Sequence, residues 1–96
     1  MIAKIHPFDL KTILAVCDKE LVGKEFEDGK IFFRASEKFF GTNQINEKDL
    51  IQLALEADSI NLFGNKCVGI LQKEGLISEN SVILISGIKH AQIYKV

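Results

Sequence analysis

Asn46-Glu47-Lys48-Asp49-Leu50-Ile51-Gln52-Leu53-Ala54-Leu55-Glu56-Ala57-Asp58 is where the chain changes its period. Leu50, Leu53, Ala54 and Ala57 recur at helical spacing, and Asn46 followed three residues later by Asp49 makes a capping-box-like start. The stretch therefore predicts a helix over Asn46 to Asp58. A second helix is expected from about Leu62 to Glu74, capped by Asn61 and stopped by Gly75, with Cys67, Val68 and Leu71 facing inward. On either side of this middle the pattern is that of strands.

Upstream, Met1, Ala3 and Ile5 alternate with Ile2, Lys4 and His6, as in a half-buried strand, and Pro7-Phe8-Asp9-Leu10 reads as the turn that follows. Thr12 to Cys17 is short and apolar, which suits a more deeply buried strand paired with the first. Asp18 is expected to cap a single helical turn ending at Gly23. Lys24 to Glu27 and Lys30 to Ala35 then flank Asp28-Gly29, a pair suited to the positive φ angles of a two-residue hairpin turn. Ser36 to Gly41 reads as a capped turn that tucks Phe39 or Phe40 into the core. Downstream, Val82 to Ile85 and His90 to Lys95 read as strands joined by Ser86-Gly87-Ile88-Lys89. Hairpins at both ends and helices in the middle give an α+β fold, a mostly antiparallel sheet of five or six strands with two central helices packed on it.

A chain of 96 residues allows one core, read as a single domain over residues 1–96. Its composition is 47% hydrophobic with seven Phe, enough to fold without metal or disulfide staples. No apolar run approaches the roughly 20 residues that cross a bilayer, and Met1 to Leu10 lacks the basic start and continuous apolar stretch of a signal peptide. A cytoplasmic protein with no membrane partner is expected. Twelve basic and 13 acidic residues leave a net charge of −1, so the molecule has no overall field for nucleic acid, and no DNA partner is expected. The charge is uneven, however. Asn80 to Val96 holds no acidic residue but carries Lys89, His90 and Lys95.

Catalytic arrangements are absent from the pattern. Cys17 and Cys67 each sit in an apolar run, which suits small buried thiols, and with His6 and His90 they show none of the paired spacing of structural zinc ligands. Gly64 and Gly69 do not form a phosphate loop, and no serine lies in a nucleophile-elbow context. Glu20, Glu25, Glu27 and Asp28 read as a solvated edge rather than a cation site. Neither histidine has an orienting carboxylate nearby in sequence. The chain reads as having no catalytic residue, no metal and no cofactor.

Two constellations remain. On the last strand, His90, Gln92 and Tyr94 share one face while Ala91 and Ile93 share the other, and the small apolar pair suits the core side. The outward stripe then offers an imidazole and a phenol for stacking and a carboxamide for a base edge, with Lys89 and Lys95 alongside for phosphate. The same residues also suit the wet face of an amphipathic strand with no partner at all. Asn61 and Gly64 carry two readings as well: an anion site at a helix N-terminus, or a cap with close helix packing.

Asn61-Leu62-Phe63-Gly64 and Gly87-Ile88-Lys89-His90-Ala91-Gln92, with Ala15-Val16-Cys17-Asp18, Leu21-Val22-Gly23-Lys24 and Ser36-Glu37-Lys38-Phe39-Phe40-Gly41, make the chain resemble an archaeal family known only as domain of unknown function 424. The likeness covers nearly the whole length. That family's pattern places a proline before the histidine, where this chain has Lys89. The resemblance implies no defined activity; with its loose association with translation, it implies RNA or the ribosome as partner, bound through Lys89, His90, Gln92, Tyr94 and Lys95. The alternatives are a protein-interaction or homodimerisation module, using an open sheet edge or Ile2, Phe8 and Val96, and a small-molecule or anion-binding domain using Asn61 and Gly64.

Overall fold

The computed structural model describes residues 1–95. Its first two strands, β1 (Ile2–Phe8) and β2 (Lys11–Cys17), form a hairpin in which Phe8 pairs with Lys11, so the turn is Asp9-Leu10 alone. Pro7 lies within β1 rather than in the turn. It is tolerated because it pairs with Thr12 at a position where β1 has no other neighbour, and the missing N–H faces outward. Two residues, β5 (Asn43–Gln44), pair with the start of β1 on its other side; nothing in so short a segment announces a strand.

The hairpin of β3 (Glu25–Asp28) and β4 (Ile31–Arg34) forms a separate two-stranded sheet. Asp28 pairs with Ile31, so its turn is Gly29-Lys30, one residue later than expected, with Gly29 at φ +62°. Ser36 Oγ accepts from Phe39 N (3.3 Å) and starts the four-residue α1 (Glu37–Phe40), which buries Phe40. The capping box is present at the next helix, α2 (Glu47–Glu56): Asp49 N donates to Asn46 Oδ1 and Asn46 N donates to the Asp49 carboxylate. Leu50 and Ala54 point from it into the core.

The expected second helix is divided. Ser59–Phe63 is strand β6, and α3 runs only over Asn65–Lys73. Ile60 and Leu62 face one way, Ser59, Asn61 and Phe63 the other, and β6 is paired on both sides, parallel to β2 and antiparallel to β8 (Ile88–Tyr94). Gly64, at φ +135°, breaks the path between strand and helix. The last hairpin, β7 (Val82–Ile85) with β8, turns on Ser86-Gly87, both at positive φ, so β8 begins two residues earlier than expected.

The main sheet has six strands in the order β5-β1-β2-β6-β8-β7, antiparallel except for β2 and β6, and the α+β fold is as expected. Residues opposite one another in the register share a face. The first face carries Ala3, Leu14, Val16, Ile60, Leu62 and Ala91 beneath α2 and α3. The second carries Ala15, Cys17, Phe63 and Ile85, roofed by the β3–β4 hairpin and α1 through Phe26, Phe33, Phe39 and Phe40. Val96, considered above for contact with another chain, lies outside the described residues.

Candidate nucleic-acid interface

The roof on the second face covers only one end of the sheet. Phe33 lies 4.4 Å and Phe26 5.2 Å from Phe63, centroid to centroid, and this aromatic contact holds the β3–β4 hairpin down. His90 belongs to this covered end. Its ring packs 5.2 Å from Phe33 and 6.1 Å from Phe63, its Nε2 is buried without a hydrogen-bond partner, and burial pushes its pKa below the ordinary histidine value.

The other end of the face is open. Register places Ile13, Ser59 and Tyr94 in one row and Ala15, Asn61 and Gln92 in the next. Over these rows lies a cleft of about 200 Å³ walled by Phe39, Asn61, Gln92 and Tyr94. It shares Ile13, Ser59 and Tyr94 with a second cleft of about 330 Å³, whose far wall is Phe8 and whose end carries Lys11 and Lys95. Phe8 and Tyr94 are 65% and 75% exposed, so both rings are free to stack. At the α1 side, His6 stacks on Phe39 (4.9 Å, 16°) and its Nε2 lies 2.7 Å from the Phe39 carbonyl. A carbonyl only accepts, so Nε2 carries the hydrogen and His6 serves as a strut for Phe39. Asp58, at the Lys11 end, is engaged: its carboxylate accepts from Thr12 N at 2.7 Å.

The five residues expected to form one binding stripe are separated. Gln92 and Tyr94 lie in the open cleft, and His90 lies under the hairpin. Lys89 is on the first face, where its Nζ donates to Gln72 Oε1 of α3 (2.9 Å) and its N–H to Asn65 Oδ1 (2.9 Å). Lys95 Nζ turns to the Ala54 (2.5 Å) and Leu55 (3.2 Å) carbonyls, closing the last turn of α2. Alternation explains the split: odd-numbered positions of β8 face the helices, so the lysines could not flank the even-numbered stripe.

Asn61 caps no helix. It sits in β6 opposite Gln92, with its Oδ1 buried and unpartnered. Gly64 is the N-cap position of α3, but the place an anion would take there is filled by the Asp18 carboxylate, which accepts from Lys66 N and Cys67 N at 2.9 Å each. Asp18 was expected to cap the short turn that follows it, Lys19–Leu21, yet makes no side-chain bond there. Sequence reasoning missed this role because the partners lie 48 and 49 residues away. It also missed Ser59, Phe8 and Ile13 in the cleft; the alternation Ser59, Asn61, Phe63 was the available signal for the first.

Cys17 and Cys67 are buried free thiols on opposite faces of the sheet, and Cys67 Sγ donates to the Gly64 carbonyl at 3.5 Å. Burial, with the Asp18 charge beside them, pushes Cys17 up to about 12 and Cys67 further in the same direction. Among the described residues no three His, Cys, Asp or Glu side chains cluster as a metal site would need, and no helix is long and apolar enough to cross a membrane.

Comparison with known proteins points to fold rather than activity. No curated protein matches the chain. A solved structure, described as that of an uncharacterized conserved protein from Methanopyrus kandleri, is similar to it with a TM-score of 0.80 at 22% identity, over 97% of this chain and 89% of that one. The family model described as Protein of unknown function (DUF424) matches residues 7–96, so the chain belongs to the DUF424 family.

Proposed function

We propose that the protein binds single-stranded RNA across the open end of the second sheet face. The observation that carries this reading is the cleft in which two exposed rings, Phe8 and Tyr94, stand on either side of a floor bearing Ser59, with Asn61 and Gln92 opposite one another on β6 and β8 in its lining. Ring faces stack on any base, and carboxamides meet donors and acceptors on base edges. Lys11 at one end and Lys4 and Lys38 beside Phe39 at the other supply cations for phosphate. Relative to the stripe read from sequence, Gln92 and Tyr94 keep their roles and Lys89 loses its own. A cytoplasmic setting and a ribosomal RNA target belong to the same reading; the archaeal source of the similar structure supports an archaeal one.

The test is fluorescence-anisotropy titration of a labelled single-stranded RNA of mixed sequence with the native protein across a salt series, alongside co-sedimentation with ribosomes. Binding is expected to weaken with salt along a shallow slope, since each phosphate contact contributes about −0.7 on a single strand and few cations line the cleft. Absence of binding at low salt, or binding untouched by loss of Tyr94 and Gln92, overturns the reading.

A further inference from the structure

Among the described residues, two buried side-chain atoms have no hydrogen-bond partner, His90 Nε2 and Asn61 Oδ1. The first is sealed beneath the β3–β4 hairpin against Phe33 and Phe63. The second belongs to the wall of the open cleft of about 200 Å³, between Phe39 on one side and Gln92 and Tyr94 on the other. A buried acceptor left unpaired costs stability in the free protein, and an apolar residue of similar size avoids that cost. Nor does β6 call for asparagine here. Its ladders to β2 and β8 are made by the backbone, and asparagine is a poor strand former.

We infer that Asn61 sets the base preference of the cleft: its Oδ1 takes an exocyclic amino group, so that cytosine, adenine or guanine binds in preference to uracil. This deepens the reading of the cleft as an RNA site and rests on it. The preference follows from depth. Oδ1 is recessed, and a recessed acceptor is met by a donor that projects. The amino groups of cytosine, adenine and guanine stand clear of their rings and carry two hydrogens each. Uracil offers only its ring N3–H, which lies between two carbonyls, so bringing that hydrogen to Oδ1 drives a carbonyl oxygen into the wall beside it.

Gln92 favours the same choice. It stands opposite Asn61 across the β6–β8 ladder, where directly facing residues have Cβ atoms about 5 Å apart, so its Oε1 is placed to accept the second hydrogen of an amino group held by Asn61. Uracil has no second hydrogen to give. Gln92 and Tyr94 are both exposed, and their side chains are free to move aside and admit the base.

Oligocytidine and oligouridine of equal length test this, because their backbone charge and ring size are the same while only cytosine carries the amino group. In anisotropy titrations of the native protein, at a pH where cytosine is uncharged, oligocytidine is expected to bind about tenfold more tightly, the worth of one hydrogen bond to a buried acceptor. Asn61→Val is expected to bind the two alike and to unfold at a temperature no lower than the parent, since valine suits a strand and leaves no acceptor unpaired. Equal affinity of the parent for both oligomers overturns the inference and leaves RNA binding standing; binding of neither overturns both. A preference for oligocytidine that survives in Asn61→Val overturns it as well. So does a lower unfolding temperature of that variant, which would show that Asn61 is held for the fold.

Discussion

The carboxylate of Asp18 occupies the space that a side chain on Gly64 would need: a Cβ built on Gly64 falls among the Asp18 carboxyl atoms. The two residues are adjacent because Asp18 N continues the β2–β6 ladder to the Phe63 carbonyl at 3.0 Å. A buried acid at the end of one strand thus caps the helix that follows its neighbour, and the glycine is what admits it.

Gly64→Ala is therefore expected to lower stability by about 2–4 kcal/mol, combining a φ of +135° with displacement of the carboxylate from the part-buried Lys66 and the buried Cys67 N–H groups. Asp18→Ala should cost about 2–3 kcal/mol through the orphaned Lys66 and Cys67 amides, and Asp18→Asn roughly half of that, since one amide oxygen remains to accept. Urea denaturation of the three variants checks the order. An Asp18→Ala protein as stable as the parent would remove the cap from the account.

Acid should loosen the covered end of the sheet. Burial lowers the His90 pKa in the folded protein, so in the window below the ordinary value of 6.5 the unfolded chain binds more protons than the folded one. His90 then contributes a loss of stability as pH falls from about 6.5 toward its folded pKa, and no further loss below it. Thermal unfolding of the parent and of His90→Phe between pH 5 and 8 separates this from the carboxylates. The parent should lose more on acidification; equal slopes would show that His90 is not held neutral.

Both thiols should be inert in the native state. With Cys17 pushed up to about 12 and Cys67 raised further, neither forms thiolate near neutral pH, and both side chains are buried. Labelling by a thiol reagent is expected to proceed only at the rate of opening, and to complete at once in denaturant. Rapid reaction of either cysteine in native buffer contradicts the burial described.

RNA affinity should separate the two faces of β8. Tyr94→Ala is expected to weaken binding by about 1–3 kcal/mol, the value of one stacked base, without loss of fold because the ring is exposed. Gln92→Ala should weaken it less, and Lys89→Ala, which acts only on α3 through Gln72, should leave it unchanged. A strong effect of Lys89 with none of Tyr94 would move the surface to the helix side.

What the sequence made legible, and what it did not, follows from range. The capping box at Asn46, the Ser36 cap and the hairpins are local devices, read within a few residues of themselves, and each stands in the structure. The misread element is β6, a strand apolar on one face and mixed on the other, which runs straight into a helix with only Gly64 between them. Its five residues satisfy a helical pattern nearly as well as an alternating one, and only the pairing with β2 and β8 decides. Of the cleft, Gln92 and Tyr94 were visible by alternation. Ser59 shared a face with Asn61 by the same alternation, but its place beside Tyr94, like that of Phe8, was not visible, because which strands lie beside β8 is a property of topology.

The parallel pairing of β2 with β6 has a kinetic meaning. Every other pair in the main sheet is antiparallel, but this central one joins segments 46 residues apart, and the Asp18 cap closes over a similar span. The first hairpin and the last can each form early from near neighbours, yet neither completes its core until β6 slides between them. Among the strand pairs this step closes the longest span, so the transition state should contain the β2–β6 seam, and folding should be slow for so short a chain. During synthesis, a nascent chain that ends before Ser59 has no partner for the side of β2 that faces away from β1, and waits with that edge of a strand destined for the core unpaired.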